Sequence, residues 1–208
     1  ITNKFMQAVS KDKEFDLTFN GKNYRTIKAK ELFKSIYKHA WLNGDPGILF
    51  IDEINKFNPT PKIGEIESTN PCGEQPLLPY ESCILGSINI SKFIKNKKLN
   101  EKSLSKAIRT AVHFLDNAID ASLYPISEIE TIVKGNRKIG LGVMGFADAL
   151  IEAEIQYDSK EAERFAERLM KLIKQEATKT SVELAKSRGP FPNIKSSIYK
   201  NKALRNAT

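Results

Sequence analysis

Residues 136–153, NRKIGLGVMGFADALIEA, read as a strand through Ile139, Leu141 and Val143 that runs into a helix beyond Gly145. The neighbouring segments set the context for this unit. From Leu99 to Leu123, Leu104, Ala107, Ile108, Ala111, Val112, Leu115 and Ile119 recur at helical spacing until Pro125 stops the pattern. Downstream, SKEAERFAERLMKLIKQEATKTSVELAKSRG (159–189) reads as a long helix capped by Ser159 and closed by Gly189-Pro190. Upstream, DPGILFIDEIN (45–55) holds a wholly apolar run, Ile48 to Ile51, bounded by Pro46-Gly47 and by charge. Such a run reads as a strand buried on both faces, as in parallel sheets. Strand, long helix, strand, long helix is the order of an α/β fold with parallel pairing.

The first third is more local. Thr2 can cap a short helix through Met6 and Val9, and FDLTFNGKNYRTIKA (15–29) alternates around Asn20-Gly21, the dipeptide of tight hairpins. AKELFKSIYKHAWLNG (29–44) sets Leu32, Phe33, Ile36, Tyr37, Ala40 and Trp41 on one helical face and ends at Gly44.

Gly140, Gly142 and Gly145 also match the G-x-G-x-x-G pattern of dinucleotide sites. That fingerprint needs a proper preceding strand and an acidic residue closing a second strand about 20 residues later. Here KGNRK precedes it and a charged helix follows. Close packing at a strand-to-helix turn, where glycine removes the steric bar, is the expectation.

Composition narrows the classes. With 208 residues, 40% hydrophobic and 28% charged, the chain can bury a substantial core. Its apolar runs are too short to span a bilayer, and it shows no signal-peptide pattern. The net charge of +8 comes from scattered lysines, often beside glutamates, rather than from a stripe. Nucleic acid is therefore not the expected partner. Two cysteines are too few for a secreted disulfide scaffold, which points to a reducing cytoplasm. The chain opens on Ile1 and stops at LRNAT, so the expectation is a piece of something longer.

Both cysteines lie in TNPCGEQPLLPYESC (69–83), inside a segment with prolines at 59, 61, 71, 76 and 79. It cannot be helical, and loops of this length inside compact domains are usually functional. Pro71 pushes Asn70 out of the α region, so an extended stretch is expected, with Asn70, Cys72 and Glu74 on one face. A surface loop carrying a cysteine by coincidence would account for the same residues. Negative charge from Glu74 disfavours a thiolate nucleophile at Cys72, and His39 and His113 lie inside expected helices as packing or surface residues. Two cysteines with no further Cys or His nearby cannot complete a zinc site, so no metal is expected. A Cys72–Cys83 disulfide is sterically conceivable but unsuited to the cytoplasm as a permanent bond. Redox chemistry remains.

STNPCGEQPLLPYESC (68–83), followed by LGSINISKFI (85–94) and NRKIGLGVMGFADAL (136–150), resembles the large catalytic chain of ribonucleotide reductase, of the adenosylcobalamin-dependent class II type. GDPGILFIDEIN (44–55) and GPFPN (189–193) extend the resemblance over nearly the whole chain. It implies a ten-stranded α/β barrel with a central finger loop, about residues 58–90 here, in a 1–208 fragment of the catalytic barrel domain that is incomplete and inactive by itself. By the same resemblance, Cys72 becomes the thiyl radical that removes hydrogen from C3′ of the ribose. Glu74 is the general base at the 3′ hydroxyl, Asn70 hydrogen-bonds the ribose hydroxyls, and Cys83 is a redox thiol whose partner cysteine is absent. The implied cofactor is adenosylcobalamin, with its contact residues unidentified. Implied partners are a ribonucleoside di- or triphosphate substrate, nucleotide effectors, a dithiol reductant, the remaining parts of the barrel and a second copy in a homodimer. The family reads SCNLGSIN where this chain has Ile84 in place of asparagine, which removes a polar side chain beside Cys83. The competing readings are a split or non-catalytic remnant that needs a partner chain, and a basic nucleic-acid-binding module.

Overall fold

The computed structural model describes residues 1–207. In chain order the elements are α1 (Asn3–Ser10), β1 (Glu14–Phe19), β2 (Lys22–Lys28), α2 (Ala29–Asn43), α3 (Ile51–Asn55), β3 (Ser68–Thr69), β4 (Pro76–Leu77), β5 (Ile84–Asn89), β6 (Ile94–Lys95), β7 (Lys98–Leu99), α4 (Glu101–Ala121), α5 (Ser127–Asn136), β8 (Ile139–Met144), α6 (Phe146–Glu152) and α7 (Lys160–Arg188).

Where the signals are local, they are obeyed. The Thr2 side chain accepts from Phe5 N–H to start α1, and the Ser159 hydroxyl accepts from Ala162 N–H to start α7. Asn20 and Gly21 both take positive φ between the antiparallel β1 and β2. This first part closes its own small core from Phe5, Ala8 and Ala29, with Phe15, Leu32 and Phe33 packed against it.

The centre of the molecule is the parallel pair of β5 and β8, in register from Ile84 opposite Ile139 to Asn89 opposite Met144. Alternation sends Ile84, Gly86 and Ile88, with Ile139, Leu141 and Val143, toward the helices. There Ile88, Ile139, Leu141 and Val143 pack on a core of Ile90, Leu104, Ile108, Val112, Leu150, Phe165, Leu169 and Ile173 from the connecting turn and from α4, α6 and α7. The opposite face holds Leu85, Ser87 and Asn89 against Gly140, Gly142 and Met144, and among the described residues no helix covers it: Leu85 and Met144 stay 54% and 55% exposed.

The α/β expectation therefore holds, but with a different first strand. Ile48 to Ile51 do not form a strand; residues 45–50 are irregular and α3 begins at Ile51. Leu49 O instead accepts the N-terminal ammonium of Ile1 at 2.6 Å, and Phe50 is 44% exposed. Together with Ile51 N–H donating to Ile1 O at 3.1 Å, that bond brackets Phe50 in the pattern of a parallel ladder, but among the described residues only Ile1 takes part, so no strand is formed here. The described residues form four two-stranded sheets and no closed barrel.

The glycine pattern is used for packing. A Cβ on Gly140 would stand 2.3 Å from Leu85 Cδ2 across the pair, and one on Gly145 would stand 2.1 Å from Asn89 Oδ1. Gly145 also has φ +65° at the start of α6, where an L side chain is strained. Gly145→Ala is expected to lower stability by about 2–4 kcal/mol through strain plus displacement of Asn89, whose Oδ1 accepts from Ser91 N–H and O–H. Urea unfolding of the variant would measure it, and a loss under about 0.5 kcal/mol would contradict the packing argument.

Candidate functional site

The proline-rich segment is non-helical, as expected, and its polar side chains organise it. Asn55 bonds both Ile66 N–H (2.8 Å) and Ile66 O (2.9 Å), and Asn58 donates to Gly64 O at 2.8 Å. The chain then enters the two-residue ladder of β3 and β4.

Residues 70–75 close that hairpin, which corrects the extended reading. Gly73 N–H donates to Asn70 O at 3.0 Å, and Gln75 N–H donates to Asn70 Oδ1 at 3.0 Å. Pro71 restricts the residue before it, but its own fixed φ suits the second position of a turn, with Asn first and Gly73 (φ +84°) fourth. Asn70, Cys72 and Glu74 therefore belong to one tight turn rather than to alternate positions of a strand. Cys72 and Glu74 are exposed on it, and Asn70 is half-buried because its carbonyl oxygens close it.

Cys83 stands apart, half-buried at the foot of β5, and both cysteines are free thiols. A Cβ on Gly140 would come 4.0 Å from Cys83 Sγ, so the thiol lies on the glycine-lined, helix-free side of the strand pair. Ile84, by the alternation of β5, points the other way into the apolar row opposite Ile139. Burial pushes the Cys83 thiol up from its ordinary value. The charge of Glu74 adds to that and Lys138 opposes it.

Two buried polar networks behind this region were not foreseen. In one, Glu81 and Lys138 form an ion pair of 2.8 Å. Asn136 donates to Glu81 at 2.6 Å, and Asn193 donates to Asn136 at 2.9 Å. In the other, Asp116 meets Arg137, Arg188 and Arg205, and Arg137 also bonds Asp120, holding that carboxyl below its usual range. The available signal was Asn136-Arg137-Lys138, three polar residues directly ahead of an apolar strand, with Glu81 two residues ahead of Cys83. His39 and His113 are exposed, on α2 and α4. Among the described residues no group of His, Cys, Asp or Glu is arranged to hold a metal ion, and no helix is long and apolar enough to cross a membrane.

Comparison with known proteins puts this arrangement in context. The family model "Ribonucleotide reductase, barrel domain" matches residues 1–207. A vitamin B12-dependent ribonucleoside-diphosphate reductase of Thermoplasma acidophilum is 48% identical over 195 residues, 92% of this chain and 25% of that protein. One of the same name from Mycobacterium tuberculosis is 46% identical over 201 residues, 96% of this chain and 29% of that protein. The ribonucleoside-diphosphate reductase subunit alpha of Chlamydia pneumoniae is 36% identical over 85% of this chain. The chain spans about a quarter of the length of the first two relatives. With the family model covering all of the described residues and identity near one half, the chain belongs to the ribonucleotide reductase barrel-domain family.

Proposed function

We propose that this chain is the part of a vitamin B12-dependent ribonucleotide reductase that carries the radical cysteine, Cys72, and one reducing thiol, Cys83. The observation that carries the reading is that the hairpin closed by the Asn70–Gln75 turn reaches, through Pro76 O on its outgoing leg, Lys138, whose carbonyl accepts from Ile84 N–H beside Cys83 at the foot of the parallel strand pair. In α/β barrels helices form the outer ring and the opposite face of the strands points inward. A barrel completed around β5 and β8, of ten strands in this reading, would enclose Cys83, and residues 58–90 would be its finger loop.

The chemistry then distributes over side chains. A thiyl radical on Cys72 takes the hydrogen atom from C3′ of the ribose. Glu74 accepts the 3′ hydroxyl proton, for which it must lie within hydrogen-bond reach of that oxygen. The protonated 2′ hydroxyl leaves as water. Cys83 and a second thiol supply two protons and two electrons in all as they become a disulfide: one proton leaves with the 2′ hydroxyl as water, and the other with the electron pair becomes the hydrogen at C2′. Cys72 then returns its hydrogen atom to C3′, regenerating the thiyl radical, and Glu74 returns its proton to the 3′ oxygen. Asn70 aligns the ribose hydroxyls with its amide N–H, its Oδ1 being engaged by Gln75. Positioning is decisive because a misaligned radical attacks the wrong bond.

Vitamin B12 in the names of the relatives supports adenosylcobalamin, which when bound supplies the unpaired electron. The exposure of Cys72 at the tip of a turn fits a radical delivered from outside these residues, and none of them is assigned to the corrin. The same names favour a ribonucleoside diphosphate as substrate. Nucleotide effectors, a dithiol reductant, a homodimer and a cytoplasmic setting complete the reading for the whole enzyme, and turnover belongs to that whole.

Cys83→Ser in the complete protein tests the assignment. Electron paramagnetic resonance should still detect a substrate-dependent radical, while sustained deoxyribonucleotide production falls on the order of 100-fold or more. Undiminished steady turnover would remove Cys83 from the mechanism.

A further inference from the structure

Glu81 and Lys138 are shut away from water, their side chains 0% and 1% exposed, yet the chemistry above uses neither charge. Two buried ions are costly unless each is paired and its remaining groups are bonded. Here the bonds run to particular places. Glu81 Oε2 accepts from both Lys138 Nζ (2.8 Å) and Leu78 N–H (2.9 Å), and Glu81 Oε1 accepts from Asn136 Nδ2 (2.6 Å). Lys138 Nζ also makes a long contact of 3.5 Å with Pro76 O.

The two partners are fastened to different pieces of the site. Glu81, through Leu78, and Lys138, through Pro76, grip the outgoing leg of the hairpin whose turn bears Asn70, Cys72 and Glu74. Lys138 is also the residue before β8, and its carbonyl accepts from Ile84 N–H at 3.4 Å, next to Cys83. Cys83 therefore follows Glu81 by two residues and lies against the strand that Lys138 begins. Three charges face it: Glu74 from the turn, Glu81 from the hairpin leg and Lys138 from the foot of β8.

We propose that the Glu81–Lys138 ion pair is a positioning device that clamps the turn carrying Cys72 and Glu74 to the foot of the β5–β8 pair, fixing where the Cys83 thiol sits beneath it. This rests on the assignment of Cys72 and Cys83 made above. Neither charge needs to touch substrate; both act through the geometry and charge balance around the thiol.

The test uses the complete protein and two readouts. The first is the alkylation rate of Cys83 by iodoacetamide, followed by peptide mass spectrometry between about pH 7 and 10, where thiolate content controls the rate. Lys138→Met removes the cation and should move the profile to higher pH. Glu81→Gln removes an anion and should move it lower. A merely loosened fold would instead speed alkylation at every pH in both variants. The second readout is steady-state turnover: each variant should lower kcat about tenfold or more with KM within about twofold, and Lys138→Arg should recover most of the loss. Should Lys138→Met not fold, Glu81→Gln is compared with the double variant Glu81→Gln/Lys138→Met. The profile should fall in the first, return toward that of the parent in the second, and kcat should be lowered in both. Displacement of both single-variant profiles in the same direction, unmoved profiles, or kcat within about twofold of the parent would overturn the proposal. The alkylation arm reads Cys83 whether or not that thiol takes part in turnover, so a failure there is separable from failure of the functional assignment.

Discussion

Cys72→Ser in the complete protein is expected to lower deoxyribonucleotide formation by at least about 10³-fold, with substrate affinity within about twofold of the parent. An O–H bond is far stronger than an S–H bond, so serine does not yield its hydrogen to form the radical and would not return hydrogen to C3′ at the end of the cycle. The fold is not at stake: Cys72 is exposed, and the turn that carries it is closed by Asn70, Gly73 and Gln75. Binding is measured by equilibrium titration with a ribonucleoside diphosphate and turnover by product formation. Residual activity above a few per cent would move the radical elsewhere and with it the meaning of the whole turn. Loss of affinity in step with loss of turnover would make Cys72 a binding residue instead.

The largest effect on stability is expected at a residue with no part in the chemistry. Asp116 on α4 is fully buried and accepts from Arg137 Nε (3.0 Å), Arg188 Nη1 (3.2 Å), Arg205 Nε (3.2 Å) and Asn206 Nδ2 (3.1 Å). It joins α4, the end of α5, the end of α7 and the final residues. Asp116→Ala leaves Arg137, itself 3% exposed, with only Asp120 as a side-chain anion among the described residues. Removing one partner from a buried ionic cluster costs about 3–5 kcal/mol, because the remaining charge stays desolvated. Urea unfolding should show that loss, and Asp116→Asn, which keeps the shape and one acceptor, should show less. A change below about 1 kcal/mol would mean that water reaches the arginines and that the cluster is not a clasp.

The comparison with expectation is instructive element by element. Thr2, Ser159, Asn20-Gly21 and Gly44 each specify a cap or turn within a few residues, and each does so in the structure. The helical periodicity from Leu104 to Ile119 likewise marks the buried face of α4. The run Ile48 to Ile51 misled because apolar content is shared by strands, short helices and irregular chain, and only a partner ladder distinguishes them. The strand that does pair with β8, Ile84–Asn89, contains Gly86, Ser87 and Asn89, and so lacks the apolar continuity that marked the wrong segment. Gly86 is there because Leu115 lies where a Cβ would be crowded, at 3.3 Å.

The candidate site divides in the same way. Asn70, Cys72, Glu74 and Cys83 were legible as residue types in one segment, because their chemistry and the family resemblance travel with the local string. The turn that gathers three of them required the hydrogen bonds from Gly73 and Gln75 to Asn70, which the rule for residues preceding proline does not describe. The ion pairs behind them join residues 57 positions apart for Glu81 and Lys138, and 21 for Asp116 and Arg137. Nothing local distinguishes such a lysine or aspartate from a solvated one; only strand pairing and helix packing determine which charges lose their water and which partners meet them. By itself, then, the sequence determined α1, α2, α4, α6 and α7, their caps, the first hairpin and the reactive residue types, all signals carried within a turn or two of chain. The tertiary structure alone decided which strand lies beside β8, which face of that pair is left exposed, and which charges are buried behind the cysteine turn, because each of these depends on desolvation and pairing between distant segments.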